Sequence, residues 1–195
     1  YKDISGPDGT PDGVIDAYDQ TVLGSGLPKV NFGLSTHMEY KGFDLNISTY
    51  GVLNYHVSDD IYNSLNSCYG YGNKEVGMLD ANRWSEDGTY LSSVPRTYAA
   101  NNATLAWNDL FSSRKIQNAA YWKIANVELG YNFPDKWFGG YVSGVRLYVS
   151  AQNLYTFTGY HGYNVDYAGG TFTPGYNFCS FPSARTFMCG LHFTF

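Results

Sequence analysis

Hydrophobic and polar residues alternate along five separate stretches of the chain. Alternation with a period of two predicts a β-strand that has one apolar face and one polar face. Each stretch is about ten residues long or slightly longer, which is the length that a tilted strand needs to cross a lipid bilayer. The five stretches are NFGLSTHMEY (31–40), FDLNISTYGVLNY (43–55), KIANVELGYNF (123–133), GVRLYVSAQN (144–153) and the closing residues from about 185 to 195.

The apolar positions define the face that we expect each strand to turn toward lipid. In the first four strands these positions are Phe32, Leu34, Thr36, Met38 and Tyr40; Phe43, Leu45, Ile47, Thr49, Gly51, Leu53 and Tyr55; Val127, Leu129, Tyr131 and Phe133; and Val145, Leu147, Val149 and Ala151. In the closing strand they are Phe187, Cys189, Leu191, Phe193 and Phe195, with Met188, Gly190, His192 and Thr194 on the opposite face. Aromatic residues near the turns, such as Phe133 and Trp137, are placed as in the interfacial girdles of membrane β-barrels.

The connections between the strands alternate between short and long. Lys41-Gly42 and PDKWFGGYVSG (134–144) are short, whereas residues 56–121 and 155–184 form long connections. Short turns at one end and long loops at the other are typical of outer-membrane barrels. The expected organisation is an extracellular acidic loop (1–29), a strand hairpin (30–55), a long extracellular loop (56–121), a second hairpin (122–154), an extracellular loop (155–184) and a closing strand (185–195).

The predicted fold class is all-β, with about five antiparallel strands that form the C-terminal part of a large transmembrane β-barrel. Five strands cannot close a barrel, since bacterial barrels begin at eight strands. We therefore expect the first and last strands to pair with strands outside this chain, because unpaired edges promote aggregation. A soluble β-sandwich, whose apolar faces meet in a core, is the alternative, and it fits loops of 30 and 66 residues at one end poorly.

Composition narrows the possible functions. Charged residues make up 15% of the 195 residues and the net charge is −5, which argues against a nucleic-acid-binding surface. Nineteen Tyr and 22 Gly favour strands and turns over helices. The four histidines lack the spacing of a zinc site, and three irregularly spaced cysteines do not form a disulfide framework. We expect no catalytic residues and no enzymatic activity.

Several separated segments together resemble one protein family. IANVELGYNFP (124–134), VRLYVSAQNLYTFTGYHGYNVD (145–166) and FPSARTFMCGLHFTF (181–195) resemble the C-terminal end of SusC/RagA-type TonB-dependent outer-membrane transporters of Bacteroidetes. The first 47 residues resemble the acidic loop and following strand pair of that family. NRWSEDGTY (82–90) with VPR (94–96) is similar to its long extracellular loop.

The resemblance implies a 22-stranded barrel whose lumen is filled by a plug. It also implies active import of glycans or peptides through the outer membrane, powered by TonB, with a SusD-like lipoprotein as a lid. The implied partners are this lipoprotein, the remainder of the barrel and plug, TonB and membrane lipid, with no nucleic acid. The alternative function is a passive porin-like or structural outer-membrane barrel.

The acidic segment DGTPDGVIDAYD (8–19) follows the spacing of a twelve-residue calcium loop. The expected ligands are Asp8, Thr10, Asp12, the Val14 carbonyl, Asp16 and Asp19, and Gly13 occupies the position of the sharp turn. Thr in place of Asp or Asn at the third position, and Asp in place of Glu at the last, depart from the template. We predict a structural Ca²⁺ or similar divalent cation here; the alternative is a solvated acidic turn.

The long loops are rich in aromatic residues mixed with Asn and Gly. Such side chains suit stacking on sugars, contact with peptides, or packing of the loops on one another and on a lid. The sequence leaves these alternatives open and identifies no substrate-binding residue. The residues are Tyr62, Tyr69, Tyr71, Trp84, Tyr90, Tyr98, Trp107, Tyr160, Tyr163, Tyr167 and Tyr176.

Overall fold

In the described part of the chain, eight β-strands and two short helices make up most of the regular structure. The computed structural model describes residues 1–68, 72–80, 83–89, 94–97, 110–139, 142–166, 170 and 172–194. The strands are β1 (Val30–Tyr40), β2 (Phe43–Leu53), β3 (His56–Asp59), β4 (Gln117–Asn118), β5 (Tyr121–Phe133), β6 (Gly144–Thr158), β7 (Tyr176–Asn177) and β8 (Thr186–Thr194). The helices are α1 (Asp60–Leu65) and α2 (Val76–Asp80), and 3₁₀ turns lie at Ala17–Asp19, Ser113–Lys115 and Asp135–Phe138.

The five long strands form one antiparallel sheet in the order β1-β2-β5-β6-β8. The five predicted strands are therefore present. β1 and β2 are joined by Lys41 and Gly42, whose φ angles are 48° and 88°. Positive φ at both central residues is the property of the type I′ hairpin turn, whose twist matches that of paired strands. Tyr40 consequently pairs with Phe43 at one end of the hairpin, and Val30 pairs with Leu53 at the other.

The sheet has an apolar face and a polar face. The cross-strand register places Leu45 beside Leu129, Leu129 beside Val149, and Val149 beside Cys189, so that apolar side chains form continuous rows. Within the five strands, all of whose residues are described, the apolar face carries no charged side chain. His37, Glu39, Asp44, Lys123, Glu128, Arg146 and His192 all lie on the polar face.

Two bulges lie at one level of the sheet, and the one in β5 changes the alternation of that strand. The register skips Ala125 in β5 and skips Asn153 and Leu154 in β6, where Asn153 has a φ of 52°. The single unpaired residue in β5 reverses which positions of that strand face each side of the sheet, whereas the two skipped residues in β6 leave its alternation unchanged. Trp122 therefore joins the apolar face, on which Phe157 lies without a change of parity, and the two rings stack with centroids 5.2 Å apart.

Aromatic side chains form a row at each end of the apolar face. At the end with the short turns, the Tyr131 ring lies 4.6 Å from that of Phe43 and 4.9 Å from that of Phe133. Gly51, which pairs with Trp122 at the other end, lies eight residues beyond Phe43 in β2, or about 26 Å along a strand. This separation matches the apolar band of about 25 Å between the girdles of outer-membrane barrels.

The two long connections fold against each other at the end of the sheet opposite the short turns. β3 pairs with β4 from the same connection and with β7 from the other. A buried apolar cluster joins them to the top of the sheet, formed by Val52, Tyr55, Val57, Ala119, Tyr121, Tyr160 and Val165. We call this region, residues 55–68 with 117–121, 159–166, 170 and 172–181, the loop layer.

Two expectations about these segments need correction. β2 ends at Leu53, and Asn54 adopts a φ of 52°, so Tyr55 leaves the apolar face and lies 7% exposed in the loop layer. β6 continues to Thr158, so the first four residues of the expected 155–184 loop belong to the strand. In the described part of the chain, no helix has the length and apolar character needed to span a membrane.

Candidate functional site

An ionic cluster crosses three strands on the polar face. Arg146 in β6 donates from Nε to Asp44 Oδ1 at 2.9 Å and from Nη2 to Asp44 Oδ2 at 2.8 Å. Its Nη2 also donates to Glu128 Oε1 at 2.7 Å. Asp44 is 5% exposed, so the bidentate ion pair with the guanidinium offsets the cost of burying its charge.

Glycines give these side chains room to lie flat on the sheet. A Cβ at position 130 would lie 2.6 Å from Arg146 Nη2 and closer still to the Asp44 carboxylate. Likewise, a Cβ at position 190 would lie 2.6 Å from the Tyr148 ring. The Tyr148 ring in turn has the Arg146 guanidinium carbon 5.2 Å from its centroid. Arg146 and Tyr148 therefore lie across the neighbouring strands at positions that have no side chain.

The polar face continues with a second ionisable group near the short turns. His37 contacts Asn46 through Nδ1 at 2.6 Å and Glu39 through Nε2 at 2.9 Å. The imidazole lies between an amide and a carboxylate at the surface of β1. With Asp44 and Glu128, three carboxylates lie on this part of the polar face.

A buried ion pair attaches the loop layer to the polar face. Lys123 in β5 pairs with Asp166, and the side chain of Lys123 is only 4% exposed. The Lys123 ammonium also lies 6.0 Å from the centroid of the Tyr50 ring. Since an unpaired buried ammonium is costly, this pair fixes the connection after β6 over the end of the sheet.

Asp59 is the centre of a buried hydrogen-bond network that joins the two long connections. Tyr160 donates its hydroxyl hydrogen to Asp59 Oδ2, and Asn177 Nδ2 donates to the same oxygen at 2.9 Å. Asp59 Oδ1 accepts from the backbone N–H of Tyr62 at 2.8 Å and so caps α1. Burial and the nearby Asp59 carboxylate raise the pKa of Tyr160 above its usual value. The sequence alone presented Asp59 only as one of two adjacent acids in a loop.

A cleft lies beside the upper part of β6. β8 pairs with β6 only as far as Gln152, whereas β6 runs on to Thr158. The open side of β6 is bordered by residues 160–166 and 183–185, which leave a cavity of about 320 Å³. The lining residues are Lys123, Asn153, Tyr155, Thr156, Thr158, Tyr160, Gly162, Tyr163, Asn164, Val165, Asp166, Ser183 and Arg185.

The predicted calcium ligands lie in a loop that is held by its own carboxylates. Asp12 Oδ1 accepts from Val14 N–H at 2.9 Å, and Asp16 Oδ1 accepts from Tyr18 N–H at 2.8 Å. Asp19 accepts from the backbone N–H groups of Ile4, Ser5 and Asp16, and these bonds lower its pKa. Asp8 and Thr10 lie at the exposed turn of the loop.

This arrangement differs from a cation cage. No group of three or more His, Cys, Asp or Glu side chains within the described residues is placed to hold a metal ion. The donor atoms are hard oxygens of the kind that Ca²⁺ prefers, but hydrogen bonds to the backbone engage part of them. The cation site at Asp8, Thr10, Asp12, Val14, Asp16 and Asp19 stays a prediction.

The aromatic residues of the long loops fall into different environments. Tyr160 is buried and structural, and the Tyr62 ring stacks on His161 with centroids 5.9 Å apart. Tyr163 is 62% exposed and borders the cleft. Trp84 and Tyr176 are partly exposed, at 42% and 41%. Tyr69, Tyr71, Tyr90, Tyr98, Trp107, Tyr167 and the terminal Phe195 lie outside the described residues.

The fold and its two faces define the class of the chain: it is an antiparallel sheet of the kind that forms a section of the wall of a large β-barrel, with loops layered on one end. In a comparison of solved structures, the chain matches the RagAB peptide importer in its "closed-closed" state with a TM-score of 0.77 at 23% identity. The match covers 97% of this chain and 20% of the other. The same importer in its "open-open" state matches with a TM-score of 0.74.

Sequence comparison finds similarity to TonB-dependent receptors. The chain is 30% identical over its full length to TonB-dependent receptor P3 of Formosa agariphila and covers 19% of that protein. It is 27% identical to TonB-dependent receptor SusC of Bacteroides thetaiotaomicron, over 94% of this chain and 17% of SusC. No protein-family model matches. The resemblance to SusC/RagA-type TonB-dependent receptors is thus confirmed, and the chain spans about a fifth of the length of these relatives.

Proposed function

We propose that this chain is part of a TonB-dependent outer-membrane importer of oligomeric nutrients, either glycans or peptides. The observation that carries the proposal is a sheet with one charge-free apolar face and one polar face, in a chain similar along its whole length to TonB-dependent receptors. In this role the apolar face contacts lipid and the polar face lines the lumen. The short turns are periplasmic and the loop layer is extracellular.

The loop layer has a surface suited to a protein partner. Phe172, Phe178 and Phe181 belong to the connection before β8 and are 97%, 68% and 88% exposed. Exposed aromatic side chains of this size are typical of protein contacts rather than of a free surface. They support the proposal that a SusD-like surface lipoprotein covers this end of the barrel. The remainder of the barrel and a plug complete the importer, and TonB supplies the energy.

We further propose that a divalent cation, Ca²⁺ or a similar ion, orders the acidic loop in a structural role. Four carboxylates within residues 8–19 repel one another in the absence of a counter-charge. The loop already turns sharply at Gly13, where φ is 85°. A cation that binds the oxygens left over from the backbone hydrogen bonds would reduce this repulsion.

Uptake measurements on cells test the main proposal. A strain whose only copy of the intact protein is under an inducible promoter would be supplied with radiolabelled oligosaccharide and oligopeptide mixtures. Active import predicts accumulation that requires both the protein and TonB. Uptake that requires the protein but persists at the same rate without TonB would instead support a passive porin-like barrel. Failure of the protein to fractionate with the outer membrane would contradict both.

A further inference from the structure

The cleft beside β6 combines an unbalanced positive charge with an exposed ring. Lys123 and Asp166 neutralise each other in its wall. Arg185 also lines the cleft, and among the described residues it has no acidic partner. The cleft therefore has a net charge of about +1, in a chain whose net charge is −5. A guanidinium that is free to pair is a natural partner for a carboxylate.

The walls of the cleft are held in place by hydrogen bonds. Asn164 donates to the Phe181 carbonyl at 3.0 Å and accepts from the backbone N–H of Asp166 at 3.1 Å. Asn153 donates to the Ala184 carbonyl at 2.9 Å, next to Arg185. These bonds fix the segments that carry Tyr163 and Arg185, so the cleft exists before any ligand arrives. Preformed sites lose less entropy on binding.

The size of the cleft limits what it can hold. A volume of about 320 Å³ is at the lower end of the range for small-molecule sites, about 300–1,000 Å³. It therefore accommodates one unit of an oligomer rather than a whole chain. Tyr163, at 62% exposure, presents a ring face on which a sugar ring or side chain can stack.

We propose that this cleft is a subsite for a carboxylate-bearing unit of the imported oligomer. Arg185 pairs with the carboxylate and Tyr163 contacts the body of the unit. The proposal rests on the proposed import function, because it deepens the ligand class of the same importer. A uronic-acid residue of a glycan and an acidic or C-terminal residue of a peptide share this chemistry.

The test is binding to the purified intact protein in detergent, measured by calorimetry with two matched probe pairs. The glycan pair is tri-galacturonate and its methyl ester, and the peptide pair is trialanine and its C-terminal amide. The variants are Arg185→Gln and Arg185→Lys, with Lys29→Gln as control, since Lys29 is an exposed cation of the same end that does not line the cleft. Outer-membrane amounts of each variant are checked beforehand.

The wild-type protein is expected to bind at least one acid about tenfold or more tightly than its neutral partner, as for a hydrogen bond to a charged group. Arg185→Gln should remove that preference, Arg185→Lys should retain part of it, and Lys29→Gln should leave it unchanged. The acid that shows the preference identifies the source of the carboxylate. Equal binding of acid and neutral probes, an unaltered preference in Arg185→Gln, or no binding of either acid would overturn the subsite. TonB-dependent uptake is measured separately, so its failure would affect the import function alone.

Discussion

Arg146 in β6 reaches across β5 and forms a bidentate ion pair with Asp44 in β2. The two residues are 102 positions apart in the sequence and lie on strands that are not neighbours in the sheet. The contact is possible because Gly130 in β5 has no side chain in its path. A residue without a side chain thus determines whether two charges meet.

Replacing Gly130 with Ala should destabilise the barrel wall. The added Cβ would lie 2.6 Å from Arg146 Nη2 and would push the guanidinium away from Asp44. Overpacking of this kind costs about 1–3 kcal/mol, and separation of the ions adds to it. The measurement is urea-induced unfolding of the intact protein in detergent. Gly33→Ala is the matched control, because its Cβ would lie at an ordinary 3.7 Å from the Thr49 carbonyl oxygen; equal losses in both variants would contradict the explanation.

Arginine should be tolerated on one face of β8 and not on the other. Phe187 is 70% exposed on the apolar face, and its neighbour Met188 is 43% exposed on the polar face. In the proposed orientation, Arg at position 187 would face lipid near the middle of the apolar band, where it costs about 2–4 kcal/mol. We expect Phe187→Arg to lower the amount of heat-modifiable, assembled protein in the outer membrane, and Met188→Arg to remain near wild type. Similar behaviour of the two variants would mean that the faces are assigned wrongly.

The loop layer should lose stability at high pH. Because the pKa of Tyr160 is raised in the folded protein, the folded state keeps its proton at a pH where the unfolded state loses it. The contribution of Tyr160 is therefore complete below about pH 10 and is lost as the pH rises above that value. Protease sensitivity of the connection before β8 should increase in this range. Tyr160→Phe should flatten the increase; a curve identical to that of wild type would count against the role of Tyr160.

Removal of Asn177 tests the same network at neutral pH. Asn177 is 2% exposed and donates to both Asp59 and Tyr160. Asn177→Ala leaves part of the buried Asp59 carboxylate unsatisfied, at a cost of about 1–3 kcal/mol. We expect faster proteolysis in the loop layer with the sheet intact. Asn73→Ala, at an exposed loop position, is the control and should cleave like wild type.

The acidic loop should bind Ca²⁺ through residues 8–19. Titration of Ca²⁺ into the intact protein should protect this segment from protease, and Asp12→Ala should require at least about tenfold more Ca²⁺ for the same protection, because one of six to eight oxygen ligands is lost. Asp87→Ala is the matched control. Asp87 is an exposed acid in another loop, where hydrogen bonds from Ser85 and Thr89 lower its pKa to about 2. Equal protection of the Asp12→Ala variant and the wild type would remove the cation site.

Much of the sheet could be predicted from the sequence because its signal is local. In β1 and in most of β2, nearly every second residue is apolar, and the sheet keeps that alternation without interruption. The prediction did not extend to Trp122, because the bulge at Ala125 reverses the parity on which the pattern depends, or to Phe157, which lies beyond the bulge at Asn153 and Leu154. A bulge leaves little trace in the amino-acid composition, so the aromatic row that contains Trp122 and Phe157 could be recognised only from the structure.

The contacts of the candidate site could not be predicted for a different reason. Lys123 pairs with Asp166 across 43 residues, and Asp59 pairs with Tyr160 across 101 residues. Strands of two residues such as β4 and β7 carry no periodicity, so nothing in the sequence indicates that the two long connections meet. The cleft near Arg185 depends on where β8 stops pairing with β6, which is a property of the register and not of any motif.

Gly130 and Gly190 also determine the surface contour of the polar face. Arg146 and Tyr148 lie lengthwise over neighbouring strands and occupy the height that other side chains would take. Few side chains project from this stretch of the polar face, and its surface is formed by the Arg146 guanidinium and the Tyr148 ring. In the proposed importer, a cargo that passes this stretch would meet a guanidinium and a ring lying along the sheet instead of upright side chains.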